Sequence, residues 1–280
     1  MATRRSCKDD FVIGKVLGRG SFGVVYKCLR KEDKETYVIK EIDMGAMNNR
    51  EQQEALNEVK ILASVNNKYI VKYYDSFIAG RKLHIVMEFA ENGCLHDHLK
   101  AQRGKTLPER EIWKFLIQIV LGLFHLHGKH ILHRDIKTLN IFLDRNNSAL
   151  LGDLGVSKVL STQTNFAKTL VGTPYYLSPE LCEGKPYNNK SDVWALGVCL
   201  YECCTLRHPF SADNQGALFM KILRGKLDYG LIKGYSNDLV HIIKLCLSHN
   251  ASRRPDCKAL LTMSSFRKAA QDLSIELPAR

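Results

Sequence analysis

Hydrophobic residues change their spacing once along this chain, near residue 90. From Phe11 to about Phe89 they come in short alternating runs: Val12-Ile13, Val16-Leu17, Val24-Val25-Tyr26, Tyr37-Val38-Ile39 and Leu83-His84-Ile85-Val86-Met87. Turn-forming stretches such as Lys31-Glu32-Asp33-Lys34 and Ala79-Gly80 separate them. Alternation broken by turns predicts an antiparallel meander. One stretch departs from it: Ala55, Leu56, Val59 and Leu62 form an apolar stripe, which predicts a helix over about 50–65.

Beyond residue 90 the period is helical. Ile112, Phe115, Leu116, Ile119, Val120, Leu123 and Phe124 recur at i, i+3, i+4 and i+7. Just before them, Thr106-Leu107-Pro108-Glu109 has capping-box spacing with a proline in the first turn. A second helix, Ser191 through Cys204, is apolar on nearly every side (Val193, Trp194, Leu196, Val198, Leu200, Cys203), as a buried central helix would be. With no internal repeat and no long linker, the pattern predicts a small β-rich lobe followed by a larger helical lobe.

Composition adds little to that until charge is counted. The 280 residues are 45% hydrophobic and 25% charged, ordinary for a globular chain. Lys and Arg outnumber Asp and Glu by 41 to 29, a net +12. Such an excess points to anionic partners such as nucleic acid, a membrane surface or phosphate groups. The excess is spread over both regions: residues 1–90 hold 16 basic and 12 acidic side chains, and the remainder 25 and 17. No basic cluster with interleaved aromatics stands out, so neither nucleic acid nor membrane is expected as a partner. Nothing apolar follows the basic start Met1-Ala-Thr-Arg4-Arg5-Ser-Cys7-Lys8, and no apolar run approaches the length of a membrane span. The nine cysteines are odd in number, scattered and without a C-x-x-C pair, which predicts reduced thiols in an intracellular protein. His96/His98 and His125/His127/His130/His133 lack companion ligands at metal spacing and read as packing and surface histidines.

The chemistry lies in a series of short motifs. Gly18-Arg19-Gly20-Ser21-Phe22-Gly23-Val24-Val25 is a G-x-G-x-x-G-x-V stretch. Glycine lets a backbone approach phosphates closely, because no Cβ intrudes. A dinucleotide site would need a helix directly after it. Here Val24-Val25-Tyr26-Lys27-Cys28 continues as a strand, so the glycines read as a hairpin flap over phosphates. Val38-Ile39-Lys40 ends a strand with an ammonium, and Glu58 on the predicted helix offers it an anion. The run Ile131-Leu132-His133-Arg134-Asp135-Ile136-Lys137-Thr138-Leu139-Asn140 packs charged and polar residues between apolar strands. It suits a catalytic loop with a carboxylate base, a cation and an amide oxygen for a metal. Asp153-Leu154-Gly155 places a second carboxylate after the strand Ala149-Leu150-Leu151, and Gly172-Thr173-Pro174, Ser178-Pro179-Glu180 and Ser191-Asp192-Val193-Trp194 follow.

Taken in this order, the motifs resemble the eukaryotic protein kinases over residues 11–266. Asp153-Leu154-Gly155, the run from His133 to Leu143 and Phe166 to Glu180 look most like the NIMA-related (Nek) serine/threonine kinases. The resemblance implies an α+β bilobal fold: a β-rich N-lobe (11–88) with one regulatory helix, a hinge (88–92) and a helical C-lobe (93–266), with tails at 1–10 and 267–280. It implies ATP and Mg2+, with Mn2+ as a substitute, and protein substrates with Ser or Thr acceptors. Lys40, paired with Glu58, is then the phosphate-holding residue. Gly18, Gly20 and Gly23 cover the phosphates, Val25 and Val38 sandwich adenine, the hinge backbone at Glu88 and Ala90 bonds its edge, and Met87 stands behind as gatekeeper. Asn140 and Asp153 are the implied metal ligands, Asp135 the base and Lys137 the cation on the transferred group. Lys137 two residues after Asp135 matches serine/threonine rather than tyrosine kinases. Glu180 and Arg254 are expected as a buried ion pair.

Thr169 is the expected activating phosphosite, and Thr173 a hydrogen-bond partner of Asp135. Leu154 stands where Phe is commoner and Val38 where Ala is; both keep apolar volume. Tyr73 falls where some Nek kinases carry an inward-turning tyrosine that can hold an inactive state, but a packing aromatic is the favoured reading. A cytoplasmic location, with nucleus, centrosome or cilium as further sites, and microtubule, centrosomal or ciliary partners follow by resemblance alone. A catalytically inactive scaffold with the same fold is the alternative.

Overall fold

The protein is described by a computed structural model over residues 6–20, 23–45, 47–153 and 174–279, apart from the side chains of Glu54 and Glu58. The side chain of Glu58, and Leu154, Gly155, Thr169 and Thr173 among residues 154–173, therefore lie outside the described residues.

The alternating segment folds as one antiparallel sheet of β1 (Phe11–Gly20), β2 (Gly23–Arg30), β3 (Thr36–Asp43), β4 (Tyr73–Ala79) and β5 (Lys82–Glu88), in the order β1-β2-β3-β5-β4. The predicted helix is α1, Asn49–Ser64. It starts where Asn48 accepts a hydrogen bond from the Glu51 N–H while the Glu51 carboxylate accepts from the Asn48 N–H, a capping box hidden in a polar stretch. Its stripe of Ala55, Val59 and Leu62 packs on Ile42, Leu83 and Ile85 of the sheet. The opposite face of the sheet buries Phe11, Tyr37, Ile39 and Val86 against Phe77.

The large lobe is built on α3 (Glu109–Gly128), which follows the short α2 (Leu95–Ala101). Here the sequence expectation needs correcting. Pro108 is the residue before the helix rather than in its first turn, and Thr106 supplies no cap. Glu109 instead accepts from the Ser236 N–H at 2.7 Å and from Trp113 Nε1 at 3.0 Å, which ties the helix start to a later part of the lobe. Behind α3, two short strands, β6 (Ile141–Leu143) and β7 (Ala149–Leu151), form a hairpin-like ladder. After a single turn, α4 (Pro179–Cys182), comes α5 (Asn189–Thr205), buried from Ser191 to Cys204 as its all-round apolar pattern requires. The helices α6 (Gln215–Arg224), α7 (Asn237–Cys246), α8 (Cys257–Thr262) and α9 (Ser264–Asp272) close the lobe around it.

Candidate active site

Strand register places the small lobe's candidates on one face. Gly18 pairs with Val25, Val25 with Lys40, and Lys40 with Ile85; one step along, Lys27 pairs with Val38 and Val38 with Met87. Opposed residues share a face and residues two apart return to it. Gly18, Val25, Val38, Lys40 and Met87 thus look onto the same cleft. Inside it, Lys40, Ile85 and Met87 of the small lobe line a cavity with Leu151, Gly152 and Asp153 of the large one.

Strand β5 runs straight into the hinge. The Glu88 N–H donates to the Lys72 carbonyl at 2.9 Å, so its carbonyl is the group it can offer a ligand. Past Ala90, the Asn92 N–H donates to the Leu143 carbonyl at 3.0 Å and the Leu143 N–H to the Gly93 carbonyl at 2.9 Å. These bonds stitch the crossover to β6, the strand that carries the end of the catalytic loop.

That loop is held from below by a buried carboxylate. Asp192, in the first turn of α5, accepts from the backbone N–H groups of His133 (3.1 Å) and Arg134 (3.0 Å). It also accepts from His127 Nε2 at 2.8 Å and from the Tyr187 hydroxyl at 2.5 Å. Burial alone would raise its carboxyl; the His127 hydrogen bond, the neighbouring His133 and His127 and the Tyr187 hydroxyl outweigh that and hold it below the ordinary value. Arg134 takes a left-handed backbone, φ +65°, as the loop turns.

The reactive side chains meet above this anchor. Asp135 Oδ2 accepts from Lys137 Nζ at 3.0 Å and from Asn140 Nδ2 at 2.9 Å. Asn140 Nδ2 also donates to the Asp135 carbonyl at 2.9 Å. With its amide nitrogen so engaged, Asn140 presents its oxygen as the end suited to a cation. The Gly152 N–H donates to the Asn140 carbonyl at 3.0 Å, binding this loop to the residue before Asp153. Asp153 is left-handed, φ +51°, and its Oδ1 lies 2.6 Å from Lys40 Nζ. A carboxylate and an amide oxygen are hard donors, and they fit Mg2+. Among the described side chains the acid beside Lys40 is Asp153.

Glu180 and Arg254 form the expected pair: Nη1–Oε1 is 2.8 Å and Nη2–Oε2 3.2 Å, with the Arg254 side chain fully buried over the Trp194 ring. Of the six grouped histidines, three go to separate carboxylates: His98 to Glu111 and His127 to Asp192, with His96 near Glu202. Among the described residues no helix is long and apolar enough to cross a membrane.

Asp192 appears in the sequence motif without a role, and Glu202 was not singled out at all. Both are carboxylates in the buried stretch of a helix apolar on nearly every side. That is the signal that could have found them, because a charge is placed there only if something binds it.

This arrangement defines a protein kinase: residues 11–266 match the family model of the protein kinase domain, and the chain belongs to that family. Its catalytic domain is Nek-like. It is 44% identical to mouse serine/threonine-protein kinase Nek4 over 248 residues, which is 88% of this chain and 31% of that protein. Mouse Nek1 matches at 44% over 93% of the chain and 22% of its own length, and mouse Nek3 at 41% over 92% and 50%. The chain thus spans half or less of these relatives.

Proposed function

We propose that this chain is an ATP- and Mg2+-dependent protein serine/threonine kinase. The observation that carries the reading is Asp135, whose carboxylate is clamped by Lys137 and Asn140 at 3.0 and 2.9 Å. ATP supplies the phosphoryl group and Mg2+ the positive charge that offsets it. Val25 and Val38 present apolar walls to adenine, and the Glu88 carbonyl and Ala90 backbone its hydrogen-bonding edge. Lys40 serves the phosphates, with Glu58 as its assigned partner in the active form. Asn140 and Asp153 hold the metal.

Asp135 orients an acceptor hydroxyl and takes its proton. Lys137, already beside that carboxylate, steadies negative charge on the transferred group. Positioning and electrostatics account for most of the rate in such a transfer. All four of Lys40, Asp135, Asn140 and Asp153 are present, which counts against an inactive scaffold.

The test is γ-phosphate transfer to a generic basic protein by wild type and Asp135→Asn. Transfer by the wild type, lost in the variant, supports the kinase; none from either favours the scaffold. By likeness to the Nek kinases we also propose a cytoplasmic location, extending to nucleus, centrosome or cilium, with microtubule-associated partners. Imaging a tagged chain and co-sedimentation with microtubules check both.

A further inference from the structure

A cavity of about 680 Å³ opens on the large lobe, distinct from the cleft that holds Lys40. It lies between the loop joining α4 to α5 and the loop after α7. Ligand sites span roughly 300–1,000 Å³, so the space suits a ligand.

Its walls are fixed by contacts already in place. The Tyr187 ring lines the cavity while its hydroxyl reaches Asp192 at 2.5 Å. Pro179 and Pro186 add two stiff apolar surfaces beside it. The Lys185 N–H donates to the Glu180 carbonyl at 2.8 Å and closes the loop after α4. On the other wall His249 Nε2 is 2.9 Å from the Leu223 carbonyl, and a Cβ added at Gly225 would lie 2.9 Å from His249 Cδ2. The loop after α7 is thus seated on the end of α6. A wall built in advance loses little freedom when a ligand arrives.

Two side-chain amides in the lining are left as donors. The Asn188 oxygen accepts from the Lys190 N–H at 2.8 Å. The Asn250 oxygen accepts from the Ser252 N–H at 2.9 Å and from its hydroxyl at 2.8 Å. Each carboxamide nitrogen is without a hydrogen-bond partner among the described residues. The two carboxylates of the lining are already taken, Glu180 by Arg254 at 2.8 Å and Glu183 by Lys185 at 2.5 Å. Around the rim, Arg224 and Lys226 flank Gly225, and Arg253 stands two residues beyond Ala251. All three are exposed and enter no ion pair among the described residues. Part of the excess of 41 basic over 29 acidic residues is gathered here.

We propose that this cavity is a docking site for an acidic peptide segment of a partner protein. The segment lays its apolar parts on Pro179, Pro186, the Tyr187 ring and Ala251, and gives carbonyl oxygens to the amides of Asn188 and Asn250. Its carboxylates meet Arg224, Lys226 and Arg253, which repel a basic peptide.

The proposal goes beyond the kinase reading and is measured by binding, independently of transfer. Fluorescence anisotropy of the full chain is followed with a fluorescein-labelled peptide repeating Glu-Pro-Ala-Glu and with its counterpart repeating Gln-Pro-Ala-Gln. The glutamate peptide should bind at least about tenfold more tightly. Lys226→Glu and Arg253→Glu should each weaken it about fivefold. Lys31→Glu, the same change of charge on the small lobe, should leave it within about twofold. Ala251→Trp fills the cavity at constant charge and should weaken it about tenfold.

Equal affinity for the two peptides, no binding of either, or an equal loss in Lys31→Glu and Arg253→Glu overturns the proposal. So does an oligothymidylate that binds as tightly through the same residues, which would make the rim a general polyanion surface. Lys226 and Arg253 are exposed, so their variants decide the matter even where Ala251→Trp fails to fold. Asp135→Asn should bind the glutamate peptide as the wild type does while transfer is lost. No transfer by the wild type overturns the kinase reading alone.

Discussion

Lys40 of the small lobe touches Asp153 of the large lobe directly, Nζ to Oδ1 at 2.6 Å. The two side chains come from β3 and from the exit of β7, 113 residues apart. They are the groups assigned to the phosphates and to the metal. The contact takes up one donor of the ammonium and one carboxylate oxygen, Oδ1.

The pair is part-exposed, with side-chain exposures of 18% and 41%, and such pairs contribute about 1 kcal/mol or less. Lys40→Met should therefore shift Tm by no more than about 4 °C for a chain of this size. Phosphate transfer should fall at least about a hundredfold, since the role lost is charge stabilisation of the transferred group. Thermal melts and a transfer assay on one preparation decide it. A large loss of stability with catalysis retained would show that the contact is structural.

The Glu180–Arg254 pair predicts the opposite balance. It is buried, and removing one partner leaves the other charge uncompensated, at a cost of about 3–5 kcal/mol. Arg254→Lys belongs in the test because a lysine cannot reproduce the two-pronged contact and the carbonyl bonds to Lys190 and Ser248. Burial raises the Glu180 carboxyl, but the Arg254 hydrogen bonds and charge, with the Ser191 hydroxyl, bring it below its ordinary value. A carboxyl depressed in the folded state adds stability that is complete above its unfolded value, about 4.3, and lost as pH falls through the folded value. Wild-type Tm should therefore fall more steeply than that of Glu180→Gln as pH drops from about 5 toward 3. Parallel slopes for the two proteins would refute this assignment.

Much of this was legible in the sequence, and the physical reason is spacing. The β-rich lobe shows because a half-buried sheet needs alternation: Val38, Lys40 and Ile42 face the cleft and α1, while Tyr37, Ile39 and Glu41 face the other way. The site's residues show because Asp135, Lys137 and Asn140 sit in one loop and need only local geometry to meet. What the sequence concealed depends on distant partners. Glu109 looks like half of a capping box with Thr106 but is drawn to Ser236, 127 residues away. Glu202 meets Thr138 and Tyr176 only because α5 runs beneath both. Polar residues in an apolar helix announce that a partner exists without saying where in the chain it lies.

Thr169, outside the described residues, is predicted from charge alone. Phosphate there adds close to two negative charges within the segment between Asp153 and Glu180, with Arg134, Lys158 and Lys168 as cations that could receive it. Thr169→Glu should raise kcat several-fold over the unphosphorylated protein and Thr169→Ala should lower it. Phosphatase-treated wild type is the reference, so that partial phosphorylation does not blur the comparison. Equal rates for both variants remove Thr169 from regulation.

Gly18 and Gly23 belong to one motif but should fail in different ways. A Cβ added at Gly23 would lie 1.9 Å from the Glu41 carbonyl oxygen, where β2 pairs Gly23 with Ile42 of β3. Gly23 is therefore required by the sheet itself, and Gly23→Ala should cost about 1–3 kcal/mol by forcing the strands apart. At Gly18 a Cβ meets nothing within 4 Å. Gly18→Ala should leave Tm within a degree or two, or raise it slightly through lost unfolded-state freedom. Its effect belongs to the ligand: if Gly18 is small so that phosphates can approach the backbone, KM for ATP should rise several-fold at unchanged stability. Measuring Tm and KM for both variants tells apart a glycine the fold needs from one the nucleotide needs. An unchanged KM in Gly18→Ala would make that residue merely part of a strand and take it out of the nucleotide site.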